Sequence, residues 1–101
     1  MEDITVIELK SRIDAGTAPM IIDVRETWEY EEFNIGATLI PLAELPGKID
    51  DLEEHKQDEI IVHCRSGARS ATAKAFLESQ GFTKVRNLLG GMLDWQRQFG
   101  A

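Results

Sequence analysis

The run Ile60-Ile61-Val62-His63, followed directly by the small-residue segment Cys64-Arg65-Ser66-Gly67-Ala68, constrains the fold more than any other part of the chain. A strand with β-branched residues at successive positions offers water no suitable face, so both of its faces must be covered. The alanine-rich stretch from about Arg69 to Gln80, with Ala73, Phe76 and Leu77, suits a packed helix that Gly81 stops. Strand, short loop and helix in that order predict a βα unit.

The rest of the chain repeats the alternation. Thr5 and Glu8 are spaced as a capping box, which predicts a helix from about Val6 to Ala15, with Gly16 as its left-handed stop. Met20 to Val24 reads as a buried strand and Thr27 to Phe33 as a short helix. Thr38-Leu39-Ile40 before Pro41 reads as a second short strand. Leu42 to Leu52 is helix-like with Pro46 dividing it, and Glu53 to Glu59 is polar and irregular. Val85 to Leu88 forms a last strand, Gly90-Gly91 a turn, and Met92 to Phe99 a terminal helix. The expected fold class is α/β, a mainly parallel central sheet of about five short strands with helices on both faces. Ligands in such sheets bind at the carboxyl ends of the strands, where Asp23-Val24 and Cys64 both lie.

A chain of 101 residues makes about one domain, here residues 1–101, with one core. Hydrophobic residues at 43% and charged residues at 29% place it among ordinary globular proteins. No apolar run approaches the ~20 residues of a bilayer span and the N-terminus lacks a signal-peptide layout, so a cytoplasmic location is expected. The net charge of −7 argues against nucleic acid and anionic membranes as partners and favours a basic protein surface. A single cysteine excludes an internal disulfide and a cysteine-rich metal site, and neither a metal nor a cofactor is expected.

Cys64 to Ser70 places a thiol, two arginines, two hydroxyls and a glycine where backbone amides at a helix start are unpaired. The helix dipole, Arg65 and Arg69 favour the thiolate; such settings lower a cysteine pKa from about 8.5 to roughly 3.5–7.5. Gly67 allows close backbone approach, which a merely buried cysteine would not need. His63 points to the opposite strand face and is expected to pack rather than deprotonate Cys64. Ser66 and Ser70 have hydroxyls to donate to an anion or to sulfur; for Ser70, capping the helix is an equal reading.

The loop Cys64-Arg65-Ser66-Gly67-Ala68-Arg69-Ser70 closely resembles the active-site loop of rhodanese-like sulfurtransferases. Asp23-Val24-Arg25-Glu26 with Glu29-Tyr30, Ile40-Pro41-Leu42, Gly81-Phe82, and Asn87-Leu88 through Gly90-Gly91 to Trp95 look like the family's other signatures, in its order. Within the family, Glu29-Tyr30 through Pro46 is most similar to rhodanese domains attached to adenylating enzymes that activate sulfur carriers. Phe33-Asn34-Ile35-Gly36-Ala37 departs from a His-Ile-x-Gly-Ala turn common there. The resemblance implies a rhodanese-like fold in which Cys64 takes a sulfane sulfur from thiosulfate or a persulfide donor. The outer sulfur then passes to cyanide or to an acceptor or carrier protein. By the same resemblance Arg65, Ser66, Gly67, Ala68, Arg69 and Ser70 hold the substrate, while Asp23 and Arg25 pair in support of the loop. Trp28 and Trp95 are expected in the core.

Two other functions compete. A phosphatase or arsenate reductase also places a thiolate in an anion cradle, but the tyrosine-phosphatase pattern has five residues between cysteine and arginine where this chain has four, Arg65 to Ala68. A non-catalytic binding or regulatory module is the second, and retention of Cys64 with both arginines weighs against it.

Overall fold

The computed structural model describes residues 1–100. Helix α1 (Val6–Asp14) leads to strand β1 (Met20–Asp23), helix α2 (Thr27–Glu32) and the two-residue strand β2 (Thr38–Leu39). A 3₁₀ turn (Leu42–Lys48), helix α3 (Ile49–Leu52) and a second 3₁₀ turn (Glu53–His55) precede strand β3 (Glu59–His63). Helix α4 (Ala68–Ser79), strand β4 (Lys84–Asn87) and helix α5 (Gly91–Phe99) complete the chain.

The four strands are parallel in the order β2-β1-β3-β4. Four strands stand where about five were expected: Ile4 reaches Leu88 at the β4 edge but forms only an isolated bridge. Thr5 already caps α1, accepting the Glu8 amide at 3.2 Å, so no residues remain to lengthen that edge. Only this half of the anticipated capping box forms, because the Glu8 carboxylate turns to Arg86 at 3.2 Å.

Strand β3 lies between β1 and β4 and is covered on both faces. Ile60, Val62 and Cys64 face one core with Leu45, Leu52, Ala73, Leu77 and Phe82, beneath α3 and α4. Ile61 faces the other with Ile4, Leu9, Leu88, Met92 and Trp95, beneath α1 and α5. Helix α4 buries Ser70, Ala73 and Leu77, the i, i+3, i+7 stripe of a helix lying on a sheet. Pro46 sits within the 3₁₀ turn, where its missing N–H and fixed φ suit a short, tight segment better than an α-helix interior.

The chain turns outward from β1 to β2 on one side and from β3 to β4 on the other. The carboxyl ends of β1 and β3 therefore form the point where strand order reverses, the crevice that open α/β sheets use for ligands. Helix α5 is docked onto this point: the Met92 and Leu93 amides donate to the Cys64 and Arg65 carbonyls at 3.0 and 2.9 Å. Gly91 makes that approach, with φ +54°, and a Cβ there would lie 2.5 Å from the Cys64 carbonyl oxygen. Gly16 has φ +74° and open space around it. In urea unfolding, Gly91→Ala is therefore expected to cost about 3 kcal/mol or more, strain and clash together, against about 1 kcal/mol for Gly16→Ala, where only backbone conformation is at stake. Equal losses would contradict this account of α5 docking.

Candidate active site

The chain leaves β3 at His63 and enters α4 at Ala68, so only Cys64 to Gly67 make the turn. Gly67 permits it by adopting φ +106°, which side chains rarely tolerate. The turn folds around the Cys64 sulfur. Gly67 N–H donates to Sγ at 3.1 Å, Ser70 N–H at 3.4 Å, and Ser70 Oγ lies 3.3 Å away. Burial pushes the Cys64 thiol up, but hydrogen bonds from Ser70 and from the Gly67 and Ser66 amides outweigh it, and the net shift is downward. Cys64 is 1% exposed, so its sulfur lies at the floor of the loop.

Arg65, Ser66 and Ala68 are exposed on the rim, whereas Ser70 is buried. Ser70 lies inside α4, three positions after Gly67, and does not cap the helix. Arg69 turns away from the rim and donates to both Glu29 carboxylate oxygens at 2.6 and 2.8 Å. Glu29 also accepts the Glu26 amide at 3.0 Å, which closes the first turn of α2. Its pKa is lowered to about 2, first by Arg69 and against the cost of burial. Glu29 thus clamps α2 to the start of α4 across forty residues. Arg65 alone among the loop cations has no ion-pair partner among the described residues.

Asp23 and Arg25 form a buried pair at 2.8–3.1 Å, and Arg25 also donates to the Phe33 carbonyl at 2.8 Å. The pair thereby braces the segment between β1 and β2. His63 lies on the strand face opposite Cys64, fully buried, with neither ring nitrogen hydrogen-bonded and Nε2 3.7 Å from Asp23. Burial is the largest influence and lowers its pKa to about 4; Arg25 acts the same way and Asp23 opposes. Trp95 is buried and packs edge-on to Phe99 at 5.0 Å, but Trp28 is 62% exposed, contrary to expectation. The reason is helical phase: α2 turns Glu29 inward to Arg69, so its neighbour Trp28 faces out beside a cleft of about 250 Å³ shared with Arg65 and Leu93. A larger depression of about 920 Å³ opens at the amino ends of the strands, among Pro19, Asp58 and Thr83, remote from the thiol.

Asn87 was legible only as part of a motif, yet it completes the site. Its Nδ2 donates to the Gly67 carbonyl at 3.1 Å and its Oδ1 accepts from Ser70 Oγ at 2.6 Å. No group of three or more histidine, cysteine or acidic side chains that could hold a metal occurs among the described residues.

The family model of the Rhodanese-like domain matches residues 5–98. The chain belongs to the rhodanese-like family. It is 40% identical over 94 residues to "Putative sulfur carrier protein YrkF" of Bacillus subtilis, covering 92% of this chain and 50% of YrkF. It is 37% identical over 97 residues to "Putative sulfurtransferase YtwF" of the same organism, covering 95% of this chain and 91% of YtwF. Resemblance to rhodanese domains of adenylating enzymes holds as well. "Probable adenylyltransferase/sulfurtransferase MoeZ" of Mycobacterium tuberculosis is 36% identical over 97 residues, covering 94% of this chain and 24% of MoeZ. The chain thus spans half of YrkF and about a quarter of MoeZ. A Rhodanese-like Domain Protein from Staphylococcus aureus has the same architecture at TM-score 0.81 and 34% identity, covering 94% of this chain and 91% of that one. No helix among the described residues is long and apolar enough to cross a membrane.

Neutral, buried His63 makes the stability of this rhodanese-like domain depend on pH. The unfolded chain takes up a proton as pH falls below about 6.5 and the folded one only near 4, so stability is full above 6.5 and is lost on acidification through that window. Between pH 7.5 and 5.0 the loss is expected to be about 2 kcal/mol. Glu29 contributes separately and lower, from about 4.5 down to 2. Urea titrations at the two pH values check this: His63→Leu should abolish most of the difference, and an undiminished difference would assign it elsewhere.

Proposed function

We propose that this rhodanese-like domain is a sulfurtransferase that carries sulfane sulfur as a persulfide on Cys64. The observation that supports this most is the convergence of the Gly67 and Ser70 amides on Sγ, with Ser70 Oγ beside it. In the first half-reaction the Cys64 thiolate attacks the outer sulfur of thiosulfate or of a persulfide donor. The sulfur–sulfur bond of the donor breaks, and sulfite or a thiolate leaves with the electron pair. In the second, a thiophilic acceptor attacks the outer sulfur of Cys64–S–S⁻, and the Cys64 thiolate departs. The second step returns negative charge to Sγ, where the Gly67 and Ser70 amides point.

Within this reading the residues have distinct roles. Arg65 meets the anionic donor at the rim, and the exposed Ser66 hydroxyl is available beside it. Gly67 and Ala68 shape the turn, and Ser70 contacts the sulfur. Arg69, engaged by Glu29, holds the loop against α2, and the Asp23–Arg25 pair braces the adjoining segment. The same engagement speaks against phosphate monoesters, since the second loop arginine is occupied and the loop has four residues between Cys64 and Arg69. YrkF is named a putative sulfur carrier protein and MoeZ a probable adenylyltransferase/sulfurtransferase; for this chain a sulfur-carrier partner is proposed by that likeness.

Thiocyanate formation from thiosulfate and cyanide tests the proposal. Cys64→Ser is expected to fall to background, and Arg65→Ala to raise KM for thiosulfate about tenfold, roughly 1.4 kcal/mol of ground-state binding, with little change in kcat. Mass spectrometry of the thiosulfate-treated protein should show one added sulfur on Cys64. A native protein that accepts sulfur from neither thiosulfate nor persulfides would return the site to a non-catalytic role.

A further inference from the structure

Ser70 Oγ is 2.6 Å from Asn87 Oδ1 and 3.3 Å from Cys64 Sγ, and a hydroxyl has one proton to donate. The Asn87 amide cannot be reversed, because the Gly67 carbonyl 3.1 Å from Nδ2 can only accept. Oδ1 therefore faces Ser70 and offers no proton of its own. The Asn87 backbone is also held on both sides, its N–H by Asp3 at 2.9 Å and its carbonyl by the Ile4 amide at 3.0 Å. With the hydroxyl proton on the shorter bond to Asn87, Ser70 presents a lone pair to the sulfur. That arrangement suits a Cys64 thiol, which donates to Ser70; the hydroxyl's share in lowering the Cys64 pKa is made in the thiolate, once it has swung across.

We propose that Asn87 is a positioning residue that sets the direction of the Ser70 hydroxyl, reserving its proton while Cys64 is uncharged and releasing it to Sγ when negative charge develops there. The proposal rests on Cys64 being the nucleophile. In the second half-reaction the inner sulfur changes from a neutral persulfide sulfur to a departing thiolate, and this is the moment at which the hydroxyl turns to it. The charged groups around the sulfur are otherwise arranged at a distance. From α4, Arg69 acts on Cys64 but is paired with Glu29, and Lys74 is paired with Asp3. Within the loop Arg65 is exposed at the rim. From α5, Asp94 and Arg97 pair with each other; Asp23 and His63 lie on the strand faces opposite the sulfur, and Arg25, which shares the cleft with Arg65, is paired with Asp23.

The pH dependence of Cys64 alkylation by iodoacetamide tests this without requiring sulfur transfer, so its outcome is separable from that of the thiocyanate assay. Asn87→Ala frees the hydroxyl for the sulfur and is expected to lower the alkylation midpoint by about one pH unit, a roughly tenfold faster reaction well below the midpoint. In a Ser70→Ala background the same Asn87 substitution should leave the midpoint unchanged. A shift of equal size in both backgrounds would show that Asn87 acts through loop structure or general polarity, and would overturn the proposal. Ser70→Ala alone provides a second reading should Asn87→Ala fold poorly. Because the resting proton belongs to Asn87, the midpoint should rise by less than about half a unit; a rise of one to two units would mean that the hydroxyl already donates to the resting sulfur.

Discussion

The parallel pairing of β3 between β1 and β4 is the constraint on which the rest of the domain depends. A strand with Ile60 and Val62 on one face and Ile61 and His63 on the other is soluble only inside a sheet covered twice. Its carboxyl end must then emerge at the reversal point of the strand order, and the chain has four residues in which to turn into α4. Those residues leave amides unpaired, and the Cys64 sulfur is the acceptor that satisfies them. Structural necessity and anion affinity here have the same origin: a helix start whose donors converge on one atom.

The loop is held from three directions, each by a different interaction. Helix α5 donates the Met92 and Leu93 amides to the Cys64 and Arg65 carbonyls. Helix α2 contributes Glu29, which removes Arg69 from the rim and fixes the first turn of α4. Strand β4 contributes Asn87, which grips both the Gly67 carbonyl and the Ser70 hydroxyl. A turn this short has little conformational freedom left after such contacts, and a site that must meet charge at a single sulfur gains by having its donors already in place.

The helices, the strands and the loop that bears Cys64 were legible because local patterns specify them. Four of the strands lie close to where β-branched runs and turn residues placed them, and α1, α4 and α5 begin and end within about two residues of expectation. Apart from the strand count, the misjudged features involve partners distant in sequence. Glu8 has a capping spacing to Thr5 but pairs with Arg86 instead. Trp28 looked like a core aromatic, yet Glu29 claims the inward face of α2 because Arg69 lies beneath it. Arg69 and Arg65 look equivalent four residues apart, and only the contact with Glu29 makes one a clamp and leaves the other exposed.

Sequence alone determined the α/β class, the placement of Cys64 at a strand's end and the presence of amides around it, since these follow from periodicity, chain direction and the stereochemistry of a helix start. Tertiary structure decided which groups face the sulfur and which face each other. Asn87 is 23 residues from Cys64 in the chain, and Glu29 is 40 from Arg69; only the order β2-β1-β3-β4 brings them together. The direction of a single hydroxyl proton on Ser70 depends on that assembly, because hydrogen bonds act over about 3 Å and no local pattern reports a partner two elements away.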